Sequence, residues 1–142
     1  MAKINFFTDG ISFNLIGKKK IRDWLTLVAN ENGRTITSIN YIFTSDVLLL
    51  DLNKKYLNHT TLTDIITFNQ STSLTDLEAD IYISIERVGE NAIKFKIRFV
   101  DELHRVMVHG LLHLIGFNDK VESEKKRMRN SENHYLVLLA QV

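Results

Sequence analysis

VHGLLHLIGFND, residues 108–119, places two histidines four positions apart in an apolar run that ends at a glycine. Residues four apart lie on the same face of an α-helix, so His109 and His113 are expected to direct their imidazoles toward one point. Gly116 is expected to end the helix in a left-handed cap, after which the chain can turn back and bring Asp119 to that point. Two nitrogens and one carboxylate oxygen that converge in this way predict a metal site with open positions for water.

The same two histidines allow other interpretations. They could be core residues hydrogen-bonded to carbonyl groups, although burying two imidazoles is costly unless both are satisfied. The spacing also matches zinc peptidases, but those enzymes need a glutamate directly after the first histidine, where this chain has Gly110. A glycine within a helix costs roughly 1 kcal/mol relative to alanine. Gly110 therefore indicates a close approach to the helix backbone, with packing by a neighbouring strand as the simplest cause.

The composition narrows the chemistry that the chain can perform. The chain has 142 residues, of which 44% are hydrophobic and 25% charged, and these values predict one domain over residues 1–142. Its net charge of +1 predicts no strongly basic surface overall. Cysteine is absent, which excludes disulfides and thiolate catalysis and leaves histidine and carboxylate as the strong metal ligands. The N-terminus lacks the apolar core of a signal peptide and no run is long enough to cross a bilayer, so we expect a cytoplasmic protein with no membrane partner.

Hydrophobic periodicity and turn signals predict nine elements. The predicted strands are residues 4–7, 35–44, 64–68 and 79–85. The predicted helices are residues 18–30, 47–56, from 86 onward, 101–115 and about 123–139. Ser45 and Ser84 are expected to cap the second and third helices. This order predicts an α+β fold, in which a mixed sheet of about four strands packs with about five helices and the metal site lies on a helix and its C-terminal turn.

Three blocks of the sequence resemble the YbeY family, bacterial rRNA maturation factors and metal-dependent endoribonucleases. HGLLHLIGF at residues 109–117 is similar to the family's histidine signature. LNKKY at 52–56 followed by TDIITF at 63–68, and EADIYIS at 78–84, resemble two further family segments in the family's order. The resemblance implies single-strand-specific cleavage of RNA, with single-stranded or ribosomal RNA and the ribosome as partners in rRNA processing and ribosome maturation.

Two positions depart from the family pattern. The family's usual third ligand is a histidine ten residues after the first, and this chain has Asp119 there. Aspartate binds zinc at about 2.0–2.2 Å, so a site of two histidines and one aspartate is chemically sound. One divalent ion is expected, with zinc as the leading candidate. A harder ligand set also favours other divalent ions. The family's arginine after the tyrosine is replaced by Leu57. Lys54, Lys55 and His59 are the candidates to contact RNA in its place.

The catalytic group is the least determined part of the expected site. Asp64 is the nearest candidate to orient a water molecule or a histidine ring, and a cap at the start of its strand, pairing with Thr61 or Thr63, is the alternative. The metal is expected to polarise a phosphoryl oxygen, to lower the pKa of bound water, or only to hold a loop. A non-catalytic ribosome-associated RNA-binding factor with a structural metal, and a metal hydrolase acting on another substrate, are the alternative functions. The sequence positions of His59, His104 and His134 do not place them at ligand spacing from another candidate, so we expect them to be surface or packing residues.

Overall fold

A computed structural model describes residues 3–142 of the chain. Along the sequence the elements are β1 (Ile4–Thr8), α1 (Lys18–Glu31), β2 (Thr35–Thr44), α2 (Asp46–Leu57), β3 (Ile65–Asn69), β4 (Asp76–Ser84), α3 (Ile85–Phe95), α4 (Phe99–Ile115) and α5 (Glu122–Gln141). The predicted α+β architecture, with a mixed four-stranded sheet and five helices, is confirmed. Within residues 3–142, no helix has both the length and the apolar character that crossing a membrane requires.

The sheet has the order β1-β2-β4-β3. β2 pairs in parallel with β1 and β4, and β3 runs antiparallel to β4 along one edge. Parallel neighbours need crossover connections, which α1 supplies between β1 and β2. Alternate residues of the two central strands are buried, among them Ile39, Tyr41 and Phe43 of β2 and Ile81 and Ile83 of β4. This alternation gives the sheet one face that belongs to the core.

α4 is the helix that packs most deeply in the protein. It contacts β3 and β4 as well as α1, α3 and α5. Its buried residues include Leu103, Met107 and Leu111. The hydroxyl of Tyr41 on β2 donates a hydrogen bond of 2.9 Å to the carbonyl of Met107, so the middle of α4 is fixed to the centre of the sheet.

Gly110 lies where α4 comes closest to the sheet. A Cβ atom built on Gly110 would stand 2.7 Å from Cδ1 of Ile65 and 3.4 Å from Cγ2 of Ile81. Carbon atoms are in favourable contact at about 3.5–4.0 Å, so the first distance is a clash. Packing by side chains of β3 and β4 therefore accounts for the glycine, as expected from the sequence.

Several element boundaries differ from the predicted ones. β4 begins at Asp76 instead of residue 79, and Ile85 belongs to α3 instead of the strand. The hydroxyl of Ser84 accepts a hydrogen bond from the backbone N–H of Arg87, so this predicted cap ends the strand one residue earlier. α4 begins at Phe99, two residues before the predicted start, because the backbone N–H of Glu102 donates to the carbonyl of Arg98 and so adds a helical turn before residue 101. Ser45 caps α2 as predicted.

The two helical glycines provide a test of the contact between α4 and the sheet. At Gly89 in α3, a built Cβ meets only Cδ2 of Phe99 at 4.0 Å, so Gly89→Ala should gain roughly 1 kcal/mol of helix propensity. At Gly110 the same gain is opposed by overpacking, which typically costs about 1–3 kcal/mol. We expect Gly110→Ala to be less stable than Gly89→Ala by about 1–3 kcal/mol in urea unfolding. Equal gains at both positions would contradict the close packing.

Candidate metal centre

The end of α4 has the predicted left-handed cap. Gly116 has φ 119°, a conformation that favours glycine. Its N–H donates to the carbonyls of Leu112 and His113 at 3.1 Å, and the N–H of Phe117 donates to the carbonyl of Leu112 at 2.9 Å. These bonds satisfy carbonyls that the helix leaves free and turn the chain back along its end. The turn carries Asp119 to the side of the helix where the two histidines lie.

His109, His113 and Asp119 converge as the spacing predicted. The Oδ2 atom of Asp119 lies 3.2 Å from Nε2 of His113 and 3.5 Å from Nε2 of His109. The two imidazole rings are nearly perpendicular, with centroids 4.5 Å apart. All three side chains are partly exposed, so the group is open to solvent on one side.

The donor set fits a divalent ion. One ligand atom from each of the three residues lies within 4.8 Å of the others. Two ligands bound at about 2.0–2.1 Å to a tetrahedral zinc ion stand roughly 3.3 Å apart, close to the two distances from Asp119. Nitrogen and carboxylate oxygen donors are those that zinc and several other divalent metals accept. The three residues could therefore hold a metal ion.

The second ring nitrogen of His109 is bonded to a residue that the sequence did not indicate. Nδ1 of His109 lies 2.6 Å from Oε2 of Glu132, whose residue is only 5% exposed. Glu132 lies on the stripe of α5 that also contains buried Met128, Tyr135 and Leu139. Helical spacing predicts an apolar residue at position 132. The charged residue found there was the feature of the sequence that could have indicated a role for Glu132.

His109 and Glu132 each stabilise the charged form of the other side chain. Burial opposes the charged imidazole of His109, but its hydrogen bond to Glu132 and the negative charges nearby outweigh burial and raise its pKa. Burial likewise opposes the charged form of Glu132, but its hydrogen bonds to His109 and Arg105 outweigh that effect and lower its pKa. Glu132 is therefore held as a carboxylate beside the imidazole.

A cavity of about 240 Å³ adjoins His109. The residues that line it are Asp64, Glu102, Arg105, Val106, His109, Arg129 and Glu132. Burial raises the pKa of the Asp64 carboxyl, against the opposing charge of His109. Within residues 3–142 that carboxyl makes no hydrogen bond to Thr61 or Thr63, since the Thr63 hydroxyl donates to the carbonyl of Ile65. The carboxyl of Asp64 thus lies beside His109 at the cavity and, in the described part of the chain, has neither threonine as a hydrogen-bond partner.

The three candidate RNA-contacting residues lie away from this cavity's lining. Lys54 and Lys55 are exposed on α2, and His59 is exposed in the loop that follows it. Cations at the cavity come instead from Arg105 and Arg129, neither of which the sequence indicated. Arg105 follows the helical spacing of the histidines, four residues before His109, which was the available signal for it.

The remaining histidines lie where surface or packing residues are expected. His104 packs edge-on against Trp24, with ring centroids 6.1 Å apart. His134 is exposed on α5. Neither belongs to the group of converging donors.

The fold and the site define an α+β protein with a helix end that could hold a metal ion, and the comparisons with known proteins assign its family. The family model described as Endoribonuclease YbeY matches residues 3–140. The chain belongs to the YbeY family. Membership in this family of endoribonucleases confirms the prediction of an enzyme of the nuclease class, a hydrolase.

Relatives resemble the chain over nearly its whole length. Endoribonuclease YbeY of Amoebophilus asiaticus is 43% identical over 136 residues, covering 96% of this chain and 92% of the relative. Endoribonuclease YbeY of Cytophaga hutchinsonii is 44% identical over 135 residues, covering 95% and 94%. The solution structure of TM1509 from Thermotoga maritima is similar with a TM-score of 0.67 and 25% identity, over 96% of this chain and 88% of that one.

Glu102 is a buried carboxylate in the cavity lining, only 4% exposed. Across the described residues 3–142, its carboxylate has no hydrogen bond or ion pair. Burial, together with the charge of Asp64, raises its pKa, against the charge of Arg105. A carboxyl with a raised pKa contributes stability below its ordinary pKa, and this contribution is lost as the pH rises through the raised value.

We therefore expect Glu102→Gln to be more stable than the wild type at pH 8, because the buried negative charge is removed. A melting temperature about 3 °C higher would correspond to roughly 1 kcal/mol for a chain of this size. The difference should shrink toward pH 4. The measurement is thermal unfolding of metal-free protein as a function of pH. Glu122→Gln, at an exposed position on α5, is the control and should show no such pH dependence; a difference for Glu102→Gln that is constant with pH would contradict the assignment.

Proposed function

We propose that this chain is a metal-dependent endoribonuclease that cleaves single-stranded RNA in rRNA processing and ribosome maturation. The observation that carries the proposal is the convergence of His109, His113 and Asp119 at the solvent-open end of α4, in a member of a family of endoribonucleases. The polar cavity that His109 lines supports it, because a substrate group bound there would lie next to the first of the three donors.

The proposed metal ligands are Nε2 of His109, Nε2 of His113 and Oδ2 of Asp119, with zinc as the proposed ion. Three protein ligands are the number found in catalytic zinc sites, which keep a fourth position for water or substrate. When bound, such an ion polarises a phosphoryl oxygen and lowers the pKa of water. Asp119 takes the place of the family's usual histidine, and its carboxylate oxygen is compatible with the same geometry.

The proposed catalytic residue is Asp64. Its carboxyl lies in the cavity that His109 also lines, and burial raises its pKa, which makes the carboxylate a stronger proton acceptor. Arg129 is exposed at the same cavity, 3.8 Å from Oε1 of Glu132, and could also pair with a substrate phosphate. Lys54, Lys55 and His59 are proposed for contacts with more distant parts of an RNA strand, and the ribosomal role would place the protein in the cytoplasm.

The ligand proposal is tested by substituting each donor. We expect His109→Ala, His113→Ala and Asp119→Ala to weaken zinc binding by more than about 100-fold, since even partners of ligands contribute about 10–100-fold. Asp119→His should retain the ion, because it supplies the family's usual ligand. The measurements are metal content after dialysis and cleavage of a labelled single-stranded RNA beside a duplex of the same sequence.

His134→Ala, at an exposed histidine of α5, is the matched control and should leave metal content and cleavage unchanged. Equal metal content in the wild type and both histidine variants would refute the ligand set. If His113→Ala lowers the melting temperature while rRNA ends in cells are unchanged, the protein is a non-catalytic RNA-binding factor with a structural metal. Activity that excess single-stranded RNA fails to inhibit would instead identify a hydrolase of another substrate.

The role of Asp64 is tested separately. Asp64→Asn should lower kcat by about 10²- to 10⁴-fold, the usual contribution of a general base, while metal content stays near that of the wild type. Asp51→Asn, at an exposed carboxylate of α2, is the control. Loss of metal in Asp64→Asn, or an unchanged kcat, would rule out a catalytic role for this carboxyl.

A further inference from the structure

The hydrogen bond between His109 and Glu132 has a consequence for the proposed metal site, and the inference drawn from it rests on the proposed function. We infer that Glu132 is a positioning residue, which holds the proton of His109 on Nδ1 and thereby leaves Nε2 free as a ligand. Arg105 in turn fixes Glu132. Both residues act on the proposed metal ion through His109.

The first step is the chemistry of the two ring nitrogens. In the neutral imidazole one nitrogen carries the proton and the other offers a lone pair. Nε2 of His109 faces Asp119 at 3.5 Å, and Nδ1 faces Oε2 of Glu132 at 2.6 Å. An ionised carboxylate only accepts hydrogen bonds, so Glu132 selects the tautomer protonated on Nδ1. That tautomer presents the lone pair of Nε2 to the group of donors.

The second step is the restraint on Glu132. Its other oxygen, Oε1, accepts a hydrogen bond of 2.9 Å from Nη1 of Arg105. Nη2 of Arg105 donates at 2.8 Å to Oδ1 of Asn133, so the guanidinium is itself held at two points. The Glu132 side chain is 6% exposed and has little freedom to rotate. Oε2 is therefore bonded to His109 and Oε1 to Arg105, and these two residues lie on α4, one helical turn apart. The guanidinium of Arg129 is a more distant ion-pair partner, 3.8 Å from Oε1.

The third step is a comparison of the two histidines. Within the described part of the chain, Nδ1 of His113 has no carboxylate partner, and the only side-chain hydrogen bond of that ring joins Nε2 to Asp119. His109 is thus oriented through Nδ1 by a buried network, whereas the Nδ1 atom of His113 has no comparable restraint. Metal-binding histidines usually have such a second partner, whose loss typically costs about 10–100-fold in affinity.

The experiment compares Glu132→Gln with Glu122→Gln, which makes the same change at an exposed position of the same helix. In metal-free protein, at a pH where all five histidines are neutral, two-dimensional ¹⁵N–¹H spectra report the tautomer of each ring. We expect the proton of His109 to lie on Nδ1 in the wild type and to shift toward Nε2 in Glu132→Gln, with His113 unchanged. Zinc affinity, from competition with a chromophoric chelator, should fall by about 10–100-fold.

The control variant should match the wild type in both measurements. An unchanged tautomer of His109 together with unchanged zinc affinity in Glu132→Gln would overturn the inference, even if the melting temperature falls, because Glu132 would then only join two helices. If Glu132→Gln does not fold, Arg105→Gln takes its place, with a smaller change in the same direction expected and no change overturning the inference. A wild type that binds no zinc would refute the proposed function, while the tautomer in metal-free protein would still report on Glu132.

Discussion

The close packing of α4 against the sheet is the constraint on which the rest of the structure depends. Gly110 allows the helix to approach side chains of β3 and β4, at a distance where a Cβ atom would clash. Around this contact α1, α3 and α5 also pack against α4, which makes it the central helix of the core. His109 is the direct neighbour of Gly110, so the depth at which the helix lies also sets the depth of the first proposed ligand.

The candidate metal centre combines residues that are close in the sequence with residues from distant segments. His109, His113 and Asp119 come from one stretch of eleven residues, and helix periodicity with one left-handed cap is enough to bring them together. The residues around them come from distant segments, with Asp64 just before β3 and Glu132 on α5. The donor geometry is therefore a local property of the chain, whereas its electrostatic environment exists only in the folded protein.

This division explains how much of the protein could be predicted from its sequence. The converging donors, the Gly116 cap and the Ser45 and Ser84 caps are encoded by residues a few positions apart, and the structure contains them. Glu132 was missed because its role depends on the packing of α5 against α4, which the spacing within α5 does not specify. Ile85 was assigned to a strand because its apolar character suits both states, and the Ser84 hydroxyl decided between them.

The hydrogen bond from Tyr41 to the carbonyl of Met107 gives the sheet a further role. Sliding the helix by one turn would displace it by about 5.4 Å and break this bond, leaving a buried hydroxyl unsatisfied. The axial position of α4 is thereby fixed relative to β2, one of the two central strands of the sheet. The candidate metal centre opens to solvent, but the position of its two histidines along the helix is fixed by a hydrogen bond inside the core.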